Sequence, residues 1–464
     1  MESNVKRIIL FLICTAVFLG FTTAQETDKE TATAARQFSL GLSAAPTFLY
    51  SFPVGEESWN TGYQGVMKLP RFQTDLGLGV EYGQLKTVSN WGIESSDKGT
   101  SIQNQENYLG WNPDFFRFGF GYQIYSWGVS DGRNPTDNLN PRDYTTLEGA
   151  KLHKLPVLSF STTWYPNEVV SVDAAFVPQP SDSLFPVDYA ESLHQALTFP
   201  VTYSSLDSKI DTFITGGKIN IRSSAVDASI SYLYDFDKYY TPVIADTFAI
   251  TLERKRLHRF GIDAKTTIDR FGLWAEACYS LSGNQNESDY TERLSKLDYT
   301  VGIDFNYGIN DCCYLNIQYT GSIVPDYDSS ANTYLFSDKR YFEKALLYSV
   351  GGINEGILQG LTWSAQWNIA NSFIVPSISG SYSFPFIYDD SVKKRFGSLV
   401  LKPSIDFMPF DSFHLTAGAI LAYSLVQEDG QDITLDTTSG AGVYTPQNHL
   451  FLTVSYKWNF SLTK

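Results

Sequence analysis

Between Tyr125 and Asp143 the chain concentrates side chains that could act on a solute without bonding to it covalently. Trp127, Asp131, Arg133, Asp137, Arg142 and Asp143 are interspersed with Gly128, Gly132, Asn134, Pro135, Asn138, Asn140 and Pro141. Gly, Pro and Asn at this density form turns, so the segment reads as a loop that presents charges. Arg133 and Arg142 facing Asp131, Asp137 and Asp143 across a narrow opening would set a transverse field, which sorts solutes by size and dipole. Covalent chemistry has less to stand on. The chain has no Gly-x-Ser-x-Gly turn and no paired-His motif. Its histidines, His153, His194, His258, His414 and His449, lack the spacing of zinc ligands. The reading is a non-enzyme with no cofactor and no metal.

The elements that would hold such a loop are legible in the last strand. From Leu450 to Leu462 every even position is apolar or aromatic, and the odd positions are mostly small, polar or charged. Successive strand side chains point to opposite faces, so the segment has one face for lipid and one for water. It is also long enough to cross a bilayer as a tilted strand. The same period recurs at Thr74–Tyr82, Leu297–Tyr307, Ile357–Ile369, Ile374–Phe386, Leu399–Phe407 and Phe413–Leu425. Repeated period-two segments of this length predict an all-β transmembrane antiparallel up-and-down barrel of about 16–18 strands. Aromatics at 15% suit its strands and interfacial girdles, and a net charge of −16 argues against nucleic acid as a partner.

Long and short connections should alternate in such a barrel, with both termini at the short-turn, periplasmic end. Asp269-Arg270, Tyr307–Asp311, Ala370–Phe373 and Met408–Ser412 are assigned as short turns. Val324–Gly356, Tyr388–Arg395 and Gln427–Tyr444 are assigned as outer loops, which requires Phe248–Ile268 to be one long strand. The same parity faces Arg117, Arg259, Asp263, Lys265, Glu276, Asp298 and Asp304 into the lumen, beside Asp75, Lys218, Lys402, Asp406 and Lys457. Barrels of this strand number leave an aqueous channel unless plugged.

The N-terminus adds Lys6 and Arg7, the apolar run Ile8–Phe21 and small residues up to Ala24, the pattern of a cleaved signal peptide over residues 1–24. Residues 25–36 read as a periplasmic leader and residues 37–464 as the barrel. Localisation in the outer membrane of a diderm bacterium follows. The partners expected are outer-membrane lipid, a small-molecule solute, the barrel-assembly machinery through the C-terminal strand, and a second copy in a homo-oligomer.

Gly121-Tyr122-Gln123-Ile124-Tyr125-Ser126-Trp127-Gly128, followed by Asn138-Leu139-Asn140-Pro141-Arg142-Asp143, resembles the signature of the outer-membrane barrels grouped as domain of unknown function 1302. Leu155-Pro156, Asp173–Pro178, Gly216-Gly217 and Gly261 follow in that family's order, over roughly residues 115 to 285. The resemblance implies a porin-like protein linked loosely to handling of apolar compounds, with no catalytic residue to carry over. The chain departs from that pattern in its shortened first strands. The functional expectation is a channel for small solutes with the 127–143 segment folded inward as its constriction. Two alternatives compete with it. One is a transporter of apolar compounds. The other is a surface adhesin or receptor using the loops Gln179–Phe213, Val324–Gly356 and Gln427–Tyr444, with Phe185, Tyr189, Tyr327 and Tyr334 as anchors.

Overall fold

The computed structural model describes residues 38–54, 71–96, 99–145, 147, 153–185, 191, 194, 199–204, 212–245, 249–282, 294–328, 339–351, 356–385, 393–428, 432–435, 437 and 440–463. Residues 1–36, expected to be a signal peptide and leader, lie outside the described residues, as do Tyr189 and Tyr334.

Alternation of apolar and polar residues produces eighteen antiparallel strands that close into one barrel. They are β1 (Phe38–Pro53), β2 (Arg71–Tyr82), β3 (Leu85–Ser96), β4 (Gly99–Trp111), β5 (Phe116–Gln123), β6 (Val157–Trp164), β7 (Val170–Val177), β8 (Ile214–Arg222) and β9 (Asp227–Phe236). The second half comprises β10 (Arg256–Ile268), β11 (Phe271–Ser282), β12 (Lys296–Tyr307), β13 (Cys313–Ile323), β14 (Ile357–Trp367), β15 (Ile374–Pro385), β16 (Lys393–Phe410) and β17 (Phe413–Glu428). The last strand, β18, runs in two segments, His449–Tyr456 and Trp458–Thr463. Each strand pairs with its chain neighbour, and β18 closes on β1 through pairs such as Thr47–Ser455 and Ala44–Trp458. Closure leaves no free sheet edge, which is the condition for a sheet to sit in lipid.

The outward face is apolar. Phe48, Phe120, Phe160, Phe260, Ile262 and the even residues from Leu450 to Leu462 are all exposed there. At the short-turn end Trp111, Phe116, Phe118 and Trp164 stack on one another with ring centroids 5.4 to 6.5 Å apart. Such an aromatic rim marks where the barrel meets the lipid headgroups. The turns at this end are short: Gly83-Gln84, Asp269-Arg270 and Asp411-Ser412 each join two strands directly.

Strands β1 to β4 have 16, 12, 12 and 13 residues. One expectation is corrected. Phe248–Ile268 is not one strand. Ile250–Glu253 pairs instead with Val201–Tyr203 and Thr241–Ile244 in a separate small sheet, and the barrel strand begins at Arg256. The break falls on Arg254-Lys255, where Arg254 pairs with Asp182 and Lys255 with Glu253, so both cations are spent outside the barrel ladder. Helix α1 (Lys339–Gly351) fills the loop between β13 and β14. Its Leu346 and Phe342 pack with Ile244, Ile250 and Leu252, so the long connections build a cap with a core of its own.

Candidate functional site

The connection between β5 and β6 leaves the strand at Gln123 and returns at Val157. Its root is apolar. Trp127 and Leu139 are buried with Val157, Ala175, Val177, Ile214 and Leu233, inward residues of β6 to β9. Trp127 was expected at a constriction; its ring is instead packed in this cluster and anchors the loop. Asn140 completes the anchor. Its Nδ2 donates to the carbonyls of Gln123 and Leu155 at 3.0 and 2.9 Å, and its Oδ1 accepts from Tyr125 N at 2.7 Å. Buried backbone groups that the loop takes out of the ladder are thereby satisfied.

Beyond Trp127 the chain turns at Gly128 (φ +92), where a Cβ would run into Asn134 Oδ1 and Thr136 Oγ1. From there the loop lies along the inward wall strand by strand. Thr136 meets Gly261 of β10. Glu276 of β11 accepts from the N–H groups of Val129 and Ser130 and, at 3.3 Å, from Thr136 Oγ1. Arg133 pairs with Asp298 of β12 at 3.1 Å, and Thr300 Oγ1 donates to Arg133 O at 3.1 Å. On β13, Asn316 Nδ2 donates to Asp131 Oδ2 at 3.0 Å, and Gln318 Oε1 accepts from Gly132 N at 3.2 Å. Gly132 also abuts Thr362 of β14. The loop thus lines β6 through β14, half of the eighteen-strand ring.

Charges along this half are paired off. Arg133 was expected to face the acids of its own loop, and it reaches the wall instead, where Lys296 also pairs with Asp298 at 2.9 Å. Arg142 and Lys154 both bind Asp137 Oδ2, at 3.0 and 2.6 Å. Asp143 accepts from Thr145 N and Oγ1 at 2.9 and 2.6 Å. Arg259 pairs with Asp235, and Lys218 with Asp263. Lys238, in the connection after β9, has Asn138 Oδ1 as its hydrogen-bond acceptor at 3.3 Å. Burial, with the Arg142 and Arg259 guanidiniums nearby, pushes its ammonium down to about 7. Three predicted wall residues stand apart from the loop. Arg117 lies over the Tyr165 ring, Lys265 over the Trp274 ring, and Asp304 against Gly272, all toward the short-turn end.

The last connection folds inward as well. Gly442 N donates to Ser424 Oγ at 3.0 Å on β17. Tyr444 OH then donates to Tyr144 O at 2.7 Å, and Gln447 Nε2 to Thr145 O at 2.9 Å. These bonds tie the two inward connections together.

The chain matches no protein-family model and no curated protein sequence. Among solved structures it is similar to Pseudomonas aeruginosa OccK3 (OpdO), with a TM-score of 0.50 at 8% identity over 91% of this chain and 96% of that one. Pseudomonas aeruginosa OpdK, solved with vanillate, gives 0.49 at 7% identity over 91% and 99%. Pseudomonas aeruginosa OpdQ gives 0.49 at 8% over 92% and 98%. The likeness is one of fold: a closed eighteen-stranded antiparallel β-barrel. The resemblance to domain of unknown function 1302 is matched by no family model; what stands of it is the porin-like barrel.

Several residues of the inward lining escape a reading of the sequence. Asn316, Gln318 and Thr300 are uncharged, so nothing marks them as loop receptors. Asp235 has the inward parity of Asp227, which would have found it. Lys154 lies beyond the segment singled out by its turn residues, although it closes on Asp137 at 2.6 Å.

Proposed function

We propose that this chain is an outer-membrane channel for small polar solutes, exported through a cleaved signal peptide, with the β5–β6 connection narrowing its lumen. The observation that carries the reading is the attachment of Val129–Arg133 to inward side chains of β11 to β13. A loop that only shielded the mouth would need none of these bonds. Most charges on this half are internally paired; Lys238, which has no ion pair among the described residues and holds its proton less tightly than an ordinary lysine, changes the field across the passage when it is protonated.

Reconstituted in a planar bilayer in potassium chloride, the barrel gives stepwise openings. Its reversal potential in a salt gradient moves toward anion preference as pH falls through about 7, where Lys238 takes up its proton. Lys238→Met removes this pH step while leaving the openings in place. The same ammonium fixes a stability trend. A lysine held below its ordinary value of about 10.4 binds fewer protons folded than unfolded, so its contribution to stability rises with pH between about 7 and about 10. A correctly folded barrel that stays silent at every pH sinks the channel reading.

The adhesin reading loses two of its anchors within the described residues. Phe185 stacks on Tyr144 at 5.3 Å and Tyr327 on Tyr348 at 4.9 Å, so both rings are engaged inside the protein.

A further inference from the structure

The wall that the β5–β6 connection does not line, from β18 through β1 to β4, carries a second feature. Two inward rows run side by side across these strands. Register sets Asn459 opposite Ser43, Ser43 opposite Gly77, and Gly77 opposite Asn90. In the next row Lys457 falls opposite Ala45, between the pairs Ala44–Trp458 and Thr47–Ser455; Ala45 pairs with Asp75, and Asp75 with Gly92. Small residues therefore lie between the larger polar ones: Ser43 and Gly77 between Asn459 and Asn90, and Ala45 between Lys457 and Asp75. The result is a basin of about 320 Å³ lined by Lys457 and Asn459 on one side and Asp75, Asn90 and Gln105 on the other.

The glycines keep the basin open. A Cβ on Gly77 would strike Ser43 Oγ and lie 3.0 Å from Asn90 Oδ1, and one on Gly92 would lie 3.0 Å from Gln105 Nε2. Gln105 Nε2 donates to Asp75 Oδ1 at 2.5 Å, which orients the carboxylate and leaves Oδ2 without a protein partner among the described residues. Lys457 likewise has no ion-pair partner among the described residues, and its backbone is two strand spacings from Asp75, roughly 10 Å. On the opposite wall Arg133, Lys218 and Arg259 each have a carboxylate within 3.4 Å. Here a cation and an anion are held apart across a floor of small residues.

We propose that this basin is a binding site for a small zwitterion such as an amino acid, its carboxylate on Lys457 and its ammonium on Asp75, with Asn90 and Asn459 as flanking amides. A lone anion or a lone cation would satisfy one side of the basin and leave the other charge facing it unpaired. As a station on a solute path the basin rests on the channel reading above; as a binding site it does not, and the test separates the two.

Saturation-transfer NMR on the full barrel in detergent micelles reads binding of alanine, lactate, alaninamide and glycerol without requiring conduction. Alanine gives the strongest transfer. Lys457→Gln and Asp75→Asn each weaken it about tenfold, the factor expected for one lost charge-assisted contact. The exchanged pair Lys457→Asp with Asp75→Lys restores it. Swelling of proteoliposomes then reads passage: alanine enters faster than lactate in the parent, and glycerol enters equally fast in parent and variants. Alanine transfer that neither substitution changes overturns the basin, as does transfer no stronger than that of lactate. If glycerol fails to enter while alanine still binds and the variants still weaken it, the channel reading falls and the basin stands.

Discussion

Replacing Arg259 by Met lowers the unfolding free energy of the barrel by about 3–5 kcal/mol, the range for removing one partner of a buried ion pair. Arg259 is 7% exposed and Asp235 1%. The guanidinium Nε donates to both oxygens of Asp235 at 3.0 Å, and Nη1 donates to Ser280 Oγ at 2.8 Å. Methionine fills a similar volume, so little is lost in packing. The loss comes from a carboxylate left in a site that solvent barely reaches. The double variant Arg259→Met with Asp235→Leu recovers most of it, because no charge then remains to be desolvated. Urea titration in lipid vesicles, read by tryptophan fluorescence, gives both values. A single variant within about 1 kcal/mol of the parent would mean that lumen water solvates the pair as it does a surface salt bridge.

Arg259 also shows what a sequence reveals about a barrel and what it withholds. Period two placed it inward, together with Asp263, Glu276 and Asp298, because strand parity is a local property carried by every neighbour. Strand boundaries followed wherever a run of alternating residues met a turn such as Asp269-Arg270. Alternation failed at Phe248–Ile268, where its period continued across a charged break and Ile250–Glu253 pairs outside the barrel. Pairing between inward residues is not local. Nothing near Arg133 says that its carboxylate lies 165 residues away at Asp298 rather than at Asp131 or Asp137. The zwitterion basin was hidden for a related reason. Asp75 and Lys457 were assigned to the lumen separately, and only closure of β18 on β1 brings them to one row.

Glu276→Gln tests the attachment of the loop at its strongest point. Glu276 is 3% exposed, and its carboxylate takes two consecutive backbone N–H groups, from Val129 and Ser130, with Thr136 Oγ1 on its other oxygen. Glutamine keeps one acceptor oxygen of nearly the same shape and loses the charge. Hydrogen bonds to a charged group are worth about 1.5–3 kcal/mol and neutral ones about 0.5–1.5, so the substitution removes about 1–3 kcal/mol of anchoring. That raises the population of detached loop by a factor of about 5 to 150. Trp127 and Asn140 still hold the root of the loop, so the barrel assembles, and its unfolding free energy falls by no more than the anchoring lost. The tip does not stay seated. Single-channel records should show bursts of larger conductance absent from the parent, more frequent still when Asp298→Asn removes the Arg133 pair as well. Records from the double variant indistinguishable from those of the parent would mean that the narrowest part of the passage lies elsewhere, with the 128–136 segment only a lining of the wall.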